Sequence, residues 1–165
     1  ARWGIQSLHV NVIQGYTTRQ ELIDGPYKGL RRGRAAAQSI IPFEVHITNS
    51  LEKIFSGLKD KVQAMSTRVP VACGALAELS VMLEKPVTRE EIEAYLKEKA
   101  ETDLAGIIAV THDPVVSSDI LGDTHSATID GLLTQVTQKH HLRLLAWFDN
   151  EWGFASRLAD WLQIP

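Results

Sequence analysis

Cysteine occurs once in this 165-residue chain, so no internal disulfide framework can form and a reducing, cytoplasmic setting is expected. No run of about 18 apolar residues is present, which argues against a membrane-spanning helix. A charged-then-apolar leader is likewise missing. The opening ARWGIQ has no initiator methionine, as in a processed, tagged or excised chain. Neither charge sign dominates: 17 Lys and Arg stand against 20 Asp and Glu, and the net charge of −3 gives no general attraction to nucleic acid or anionic membranes. Internal repeats, low-complexity tracts and linkers are also lacking. With 44% apolar and 22% charged residues, the chain has the makeup of one ordinary globular domain, long enough to bury a sizeable core.

One stretch departs from that near-neutral background. Residues 17–38, TTRQELIDGPYKGLRRGRAAAQ, gather Lys28, Arg31, Arg32 and Arg34 in a short loop between glycines, followed by small residues. Arginine presents a planar fork of donors to phosphate oxygens, so such a loop suits a phosphorylated small molecule. A solvated charge run, or a patch for nucleic acid, would have the same composition.

Periodicity outlines the elements around this loop. Alternation in residues 7–13 predicts a strand with Leu8, Val10 and Val12 on one face and His9, Asn11 and Ile13 on the other. Residues 39–43 read as a second short strand and 50–55 as a short helix. Residues 61–69 and 75–83 are the clearer strands. In the latter, Ala77, Leu79, Val81 and Leu83 face one way and Glu78, Ser80, Met82 and Glu84 the other. One face buried and one partly polar is the pattern of an antiparallel sheet. After Pro86, Thr88-Arg89-Glu90-Glu91 is a capping box that opens a helix to about Ala100. Ile92, Leu96 and Ala100 run along one side of it, and Glu93 and Lys97 can pair across a turn. Residues 106–110 form a short apolar strand, 111–125 a polar loop, and 141–148 a strong strand with Leu142, Leu144, Ala146 and Phe148 on one face. Residues 150–162 predict a last helix with an apolar stripe of Phe154, Leu158, Trp161 and Leu162. Strands interspersed with helices predict an α+β fold, with a mixed, largely antiparallel sheet and helices packed on one face.

Five segments carry a resemblance: GYTTRQELIDGP (15–26), LRRGRAAAQSIIP (30–42), RVP (68–70), DPVVSSDILGDTHS (113–126) and WFDNEWGFASR (147–157). In order and spacing they resemble the C-terminal catalytic domain of the phosphorylating glyceraldehyde-3-phosphate dehydrogenase family. The resemblance covers residues 1–165 and implies a longer, two-domain enzyme. Its N-terminal Rossmann domain would bind NAD, while a domain of this kind would supply the sheet, the phosphate sites and the tetramer interface. In keeping with an absent Rossmann half, no G-x-G-x-x-G follows a strand here. The family's nucleophilic cysteine falls before the first residue of the chain, which implies an excised or truncated domain.

The family's reaction sets a thiolate against an aldehyde and uses an imidazole to hold the thiol ionised. Hydride then passes to the nicotinamide, and inorganic phosphate releases the acyl group. The imidazole precedes a Tyr-Thr pair, and its position here is Gln14, an amide that can orient a substrate but cannot accept a proton at neutral pH. His9, in the same strand, is read as structural. By resemblance Thr17 and Arg68 would hold the substrate phosphate, Arg31 the second anion, and Asn150 the nicotinamide carboxamide. Arg68 lies in a half-apolar strand, where an unpaired charge is costly, so an anion or a carboxylate partner is expected. The family's Thr-Gly pair after Ile-Ile-Pro is replaced by Val45-His46, which removes a hydroxyl donor and the glycine that lets backbone approach an anion.

Arg32 and Arg34 are expected to pair across packing surfaces and Cys73 to be a buried, inert thiol. Asp119 and Asp123 are read as loop caps, and Trp147, Asp149, Trp152 and Gly153 as packing and turn residues. His125, His140 and His141 lack the spacing with Cys or carboxylates that zinc requires, so no metal is expected. The resemblance thus implies a cytoplasmic, homotetrameric, NAD-dependent oxidoreductase of carbohydrate metabolism that takes a sugar phosphate and inorganic phosphate and is inactive as this fragment. QSIIP, HSATIDG and NEWGFASR are similar to the erythrose-4-phosphate dehydrogenase branch, a second reading. A third is a non-catalytic paralogue that serves assembly or sugar-phosphate sensing. The apolar stripe of the last helix and the broad sheet face are expected to drive self-association.

Overall fold

The computed structural model describes residues 2–45 and 47–162. The alternating segment near the N-terminus becomes the long strand β1 (Ile5–Gly15), which runs parallel to β3 (Val62–Val69) and antiparallel to β4 (Ala75–Leu83). β2 (Ile41–Glu44) flanks β3, and β8 (His141–Phe148) flanks β4. β6 (Ala127–Asp130) and β5 (Ile108–Thr111) continue beyond β8, giving the order β2-β3-β1-β4-β8-β6-β5, while β7 (Gln135–Thr137) pairs with the other end of β8. Only β1–β3 and β5–β6 are parallel among the described pairings, so the sheet is mixed and largely antiparallel, as the patterning predicts.

The strands at 62–69 and 75–83, consecutive in the chain, are not neighbours, because β1 lies between them. The connection joining them crosses the end of β1 so closely that a Cβ on Gly15 would lie 2.4 Å from the Val71 carbonyl oxygen. Glycine permits that crossing because it has no side chain to displace.

Pleating puts Leu8, Val10, Val62, Val81, Leu83 and Leu142 on one face. There they meet Val87 and Ile92, with Leu51, Leu58 and Leu96 packed around them. Leu51 comes from α1 (Ile47–Ile54), Leu58 from the turn after it, Val87 from the connection leading to α2 (Arg89–Glu101), and Ile92 and Leu96 from α2 itself, so these two helices cover a single face. Burying each large apolar side chain contributes about 2 kcal/mol. The expected capping box forms: Glu91 N donates to Thr88 Oγ1 (3.2 Å) and Thr88 N donates to Glu91 Oε2 (2.9 Å). The opposite sheet face is open and polar, with Thr67 donating to Asn11 (3.1 Å), Arg143 paired with Glu78 (2.7 Å) and Ser80 bonded to His141 (2.7 Å).

The final helix, α3, runs Trp152–Leu162. Its stripe stays in solvent: Phe154 is 69% and Trp161 76% exposed. Sequence periodicity leaves β6 and β7 unassigned, since four and three residues are too short to show a period. Thr128 and Asp130 in β6 are also polar yet buried. No helix among the described residues is long and apolar enough to cross a membrane.

Candidate functional site

Strand register draws a row across one end of the sheet. Phe148 of β8 faces Ala75 of β4, Ala75 faces Gln14 of β1, Gln14 faces Arg68 of β3, and Arg68 faces Ile41 of β2. Gln14 and Arg68 therefore sit side by side, on the face that carries the core. Thr17, Arg31 and Asn150 arrive from the connections just past this row.

Gln14 Nε2 donates to Ser66 Oγ (3.1 Å), and Ser66, fully buried, donates on to the Val12 carbonyl (3.0 Å). That chain fixes the amide, and nothing in it takes up a proton at neutral pH. His9 is an odd-numbered residue of the same strand and lies on the opposite face, in register with Ser80 and Gln63, so it cannot stand in for Gln14.

Arg68 is half-buried. One terminal nitrogen donates to the Gly15 carbonyl (2.6 Å), its Nε is buried without a partner, and its guanidinium carbon lies 5.5 Å from the centre of the Phe43 ring. Burial lowers its pKa, and the charges of Arg32 and then Arg19 lower it further. An arginine keeps its charge through such a shift. No carboxylate among the described residues forms an ion pair with Arg68, so the carboxylate partner expected as one possibility is not found there. Phe43 and Ser66 go unmarked in the sequence reading; the even spacing of Ser66 and Arg68 along β3 is the signal that would have found the serine.

The loop between β1 and β2 is held by its own backbone. Glu21 N donates to Arg32 O (3.2 Å), Gly25 N to Gly33 O (2.9 Å) and Ala36 N to Glu21 O (2.9 Å). Gly33 is required, because a Cβ there would meet Gly25 O at 2.4 Å. Thr17 is exposed, and both its N–H (2.8 Å) and its hydroxyl (3.0 Å) donate to Gln20 Oε1. Arg31 reaches the Pro42 carbonyl at 3.4 Å and is otherwise in solvent. Arg34 pairs with Asp24 at 3.2 Å within the loop itself, not across a packing surface. The Ala35 backbone N–H, and then Arg34, hold the Asp24 carboxyl below its usual range. Of the Val45-His46 pair, His46 lies outside the described residues.

Asn150 stands at the other end of the row. Its Oδ1 accepts from Gly74 N (2.9 Å) and lies 3.6 Å from Cys73 Sγ. Cys73 is thus a half-buried thiol at the edge of the site rather than a fully buried one, because the tight turn at Gly74 (φ +86°) brings it against Asn150. Asp119 and Asp123 act as loop caps, toward Val116 N (2.8 Å) and His125 N (3.0 Å) respectively. Among the described residues no three His, Cys, Asp or Glu side chains converge to hold a metal ion.

Asp149 anchors Asn150 from below. It is 5% exposed, and its carboxylate accepts from Gly122 N (3.0 Å), Glu151 N (2.8 Å) and Trp152 N (2.8 Å), joining the loop before β6 to the start of α3. Burial alone would raise its pKa, but the N–H groups of Trp152, Glu151 and Gly122 outweigh it and hold the pKa below the ordinary 3.8. Asp149→Ala is expected to cost about 3 kcal/mol in urea denaturation at neutral pH, from a lost cap and buried donors left unpaired. The folded pKa is depressed, so this stability is fully present above the unfolded value and shrinks as pH falls from 3.8 through the folded one. The gap between wild type and variant should close over that range; a gap that persists there would show that the charge is not what the three donors need.

Residues 1–150 match the family model described as glyceraldehyde 3-phosphate dehydrogenase, C-terminal domain. The chain is 41% identical to the glyceraldehyde-3-phosphate dehydrogenase of Borreliella burgdorferi over 163 residues, which is 98% of this chain and 49% of that protein. It is 40% identical to glyceraldehyde-3-phosphate dehydrogenase 2 of Streptomyces avermitilis over 158 residues, with 96% and 47% covered. It is 39% identical to glyceraldehyde-3-phosphate dehydrogenase 2 of Bacillus subtilis over the same length, with 96% and 46% covered. The chain spans about half the length of the curated relatives it matches. The family model over residues 1–150 and these relatives show that the chain belongs to the family of glyceraldehyde 3-phosphate dehydrogenase C-terminal domains.

Proposed function

We propose that this chain is the substrate-binding and oligomerisation half of an NAD-dependent, phosphorylating dehydrogenase of the glyceraldehyde 3-phosphate type. Its own task is to hold the phosphate of the substrate and to set the carbonyl beside Gln14. Arg68 carries this reading: a half-buried guanidinium next to Gln14, with a buried Nε that has no partner and no carboxylate paired to it among the described residues. A cation in that state is costly until an anion arrives, and a phosphate ester matches its planar donors. Thr17 and Arg31 lie in the basic loop that follows β1, where the Thr17 hydroxyl is free to serve an anion once it leaves Gln20.

Asn150 is held through Oδ1, which leaves its Nδ2 to donate to a nicotinamide carboxamide. Bound NAD would supply the hydride acceptor. Gln14 can donate to or orient the carbonyl, but proton removal falls to another group. That substitution favours, as a second reading, a non-catalytic paralogue that binds a sugar phosphate. Segments 38–42, 125–131 and 150–157 favour erythrose 4-phosphate as an alternative substrate. Assembly into a homotetramer belongs to the same proposal, and the uncovered stripe of α3 supports it.

The test is NADH formation by full-length protein with each sugar phosphate, with and without inorganic phosphate. Phosphate-dependent turnover is expected with one of the two, and none from the 165-residue chain alone. Turnover by the isolated chain would overturn the division of labour. Phosphate binding without turnover in the full-length protein would establish the paralogue.

A further inference from the structure

We propose that Ser66 is a positioning residue: it holds the Gln14 nitrogen inward, so that position 14 offers the site an acceptor oxygen and takes a hydroxyl group of a short phosphorylated ligand. This rests on the reading of Arg68 above. It narrows the two roles open to Gln14, donating to a carbonyl or orienting the substrate, to the second.

Counting hydrogens fixes the amide. The Ser66 hydroxyl carries one hydrogen, and its Oγ lies 3.0 Å from the Val12 carbonyl, an oxygen that can only accept. That hydrogen is therefore committed to Val12, and Oγ meets Gln14 as an acceptor. The Gln14 atom 3.1 Å from Oγ must then be the one that carries hydrogens, Nε2. Turned the other way, the amide would set Oε1 against the lone pairs of Oγ, or would draw the hydroxyl away from Val12. Ser66 is fully buried, so bulk water does not make good either loss.

The oxygen is the open end of the side chain. Gln14 is half-buried, and its one side-chain hydrogen bond among the described residues runs through Nε2. The only buried side-chain polar atom without a partner among those residues is Arg68 Nε, so Gln14 Oε1, bonded to nothing in the protein, reaches solvent. An accessible carboxamide oxygen takes an O–H or N–H donor.

The surroundings choose between these donors. Arg68 is in register with Gln14 on the same face, which disfavours an ammonium group there and leaves a neutral hydroxyl unaffected. Paired strands lie about 4.8 Å apart, so a ligand with its phosphate on Arg68 brings a hydroxyl to Gln14 when a few carbons separate the two. A glycerol phosphate, or the hydrate of a short sugar-phosphate aldehyde, has that form. A free aldehyde has no hydrogen to donate from its carbonyl oxygen and would leave Oε1 unpaired.

The experiment is calorimetric titration of the full-length protein with inorganic phosphate, glycerol 3-phosphate and 1-deoxy-1-fluoroglycerol 3-phosphate, whose fluorine is close to a hydroxyl in size but cannot donate. Wild type is expected to bind glycerol 3-phosphate about tenfold tighter than the fluoro analogue, the worth of one hydrogen bond. Ser66→Ala frees the amide to turn, so this ratio should fall to about twofold while inorganic phosphate binds within about twofold of wild type. Ser66→Thr, which keeps the hydroxyl, should restore the ratio, and Ser66→Val, of the same shape as threonine, should not. Should the Ser66 variants fail to fold, Gln14→Met decides, because it removes the acceptor and should bring the ratio to about one. A ratio of about one in wild type, or a ratio left at the wild-type value by Ser66→Ala or by Gln14→Met, would overturn the proposal. If that happens while Arg68→Gln still loses inorganic phosphate, the Arg68 reading stands. If Arg68→Gln binds inorganic phosphate like wild type, that reading falls and this proposal with it.

Discussion

Gln14→His in the full-length protein is expected to raise kcat for oxidation of the sugar phosphate by about 10²–10⁴-fold, the contribution of a well-placed general base. The position favours it, since residue 14 stands beside Arg68 in the strand row and within hydrogen-bond reach of Ser66 Oγ. An imidazole there could donate one N–H to that hydroxyl, which would fix its tautomer and leave the other nitrogen free to accept a proton. The adjacent Arg68 cation disfavours the imidazolium and so lowers the histidine's pKa. The acidic limb of the rate profile should therefore fall below the ordinary value of about 6.5. KM should move little, because the phosphate contacts are untouched. A variant no faster than wild type, and without a new acidic limb, would mean that residue 14 is not next to the reacting carbonyl.

Arg68→Gln is expected to abolish the stabilisation that phosphate gives the protein. A ligand at 100 times its Kd stabilises the folded state by about 2.7 kcal/mol, which a thermal shift assay resolves readily. Losing a charge-assisted fork should weaken binding about a hundredfold and remove that shift. Without phosphate, the variant should lie within about 1 kcal/mol of wild type. Relief of burial and of repulsion from Arg32 and Arg19 offsets the lost bond to the Gly15 carbonyl. A variant that is badly destabilised in phosphate-free buffer would instead make Arg68 a structural strut, and an unchanged phosphate shift would place the anion elsewhere.

Much of the fold is legible in the sequence because the central strands have one wet face. The alternation of Leu8, Val10 and Val12 with His9, Asn11 and Ile13 survives unchanged in β1. The same holds for Ala77 to Leu83 in β4. Thr88 and Glu91 mark the start of α2 through purely local hydrogen bonds. The insertion of β1 between β3 and β4 is not legible, since pairing partners are chosen by three-dimensional packing and leave no local pattern.

The site divides in the same way. Gln14, Thr17, Arg31, Arg68 and Asn150 come from motif matching, and the strand register explains why the first and fourth are neighbours. The Phe43 ring, which meets the guanidinium groups of both Arg32 and Arg68, and the isolation of Arg68 from carboxylates depend on β2 folding back along β3. Arg32 shows the limit of local reading: its sequence neighbours give no sign of which ring it stacks on.

The parallel pairing of β1 with β3, Leu8 against Val62 through Gly15 against Val69, makes the basic loop, β2 and α1 a single long crossover. Gln14 ends its first strand, Arg68 ends its last, and Thr17, Arg32 and Phe43 ride between them. Ordering so long a crossover costs chain entropy before any contact repays it, and such non-local pairing slows folding. A peptide with the loop sequence alone would carry the cations but not their arrangement, because Arg68 and the Phe43 ring lie on the far side of the closure. Phosphate affinity in this chain is therefore also a gauge of folding, because it requires the β1–β3 crossover to be closed.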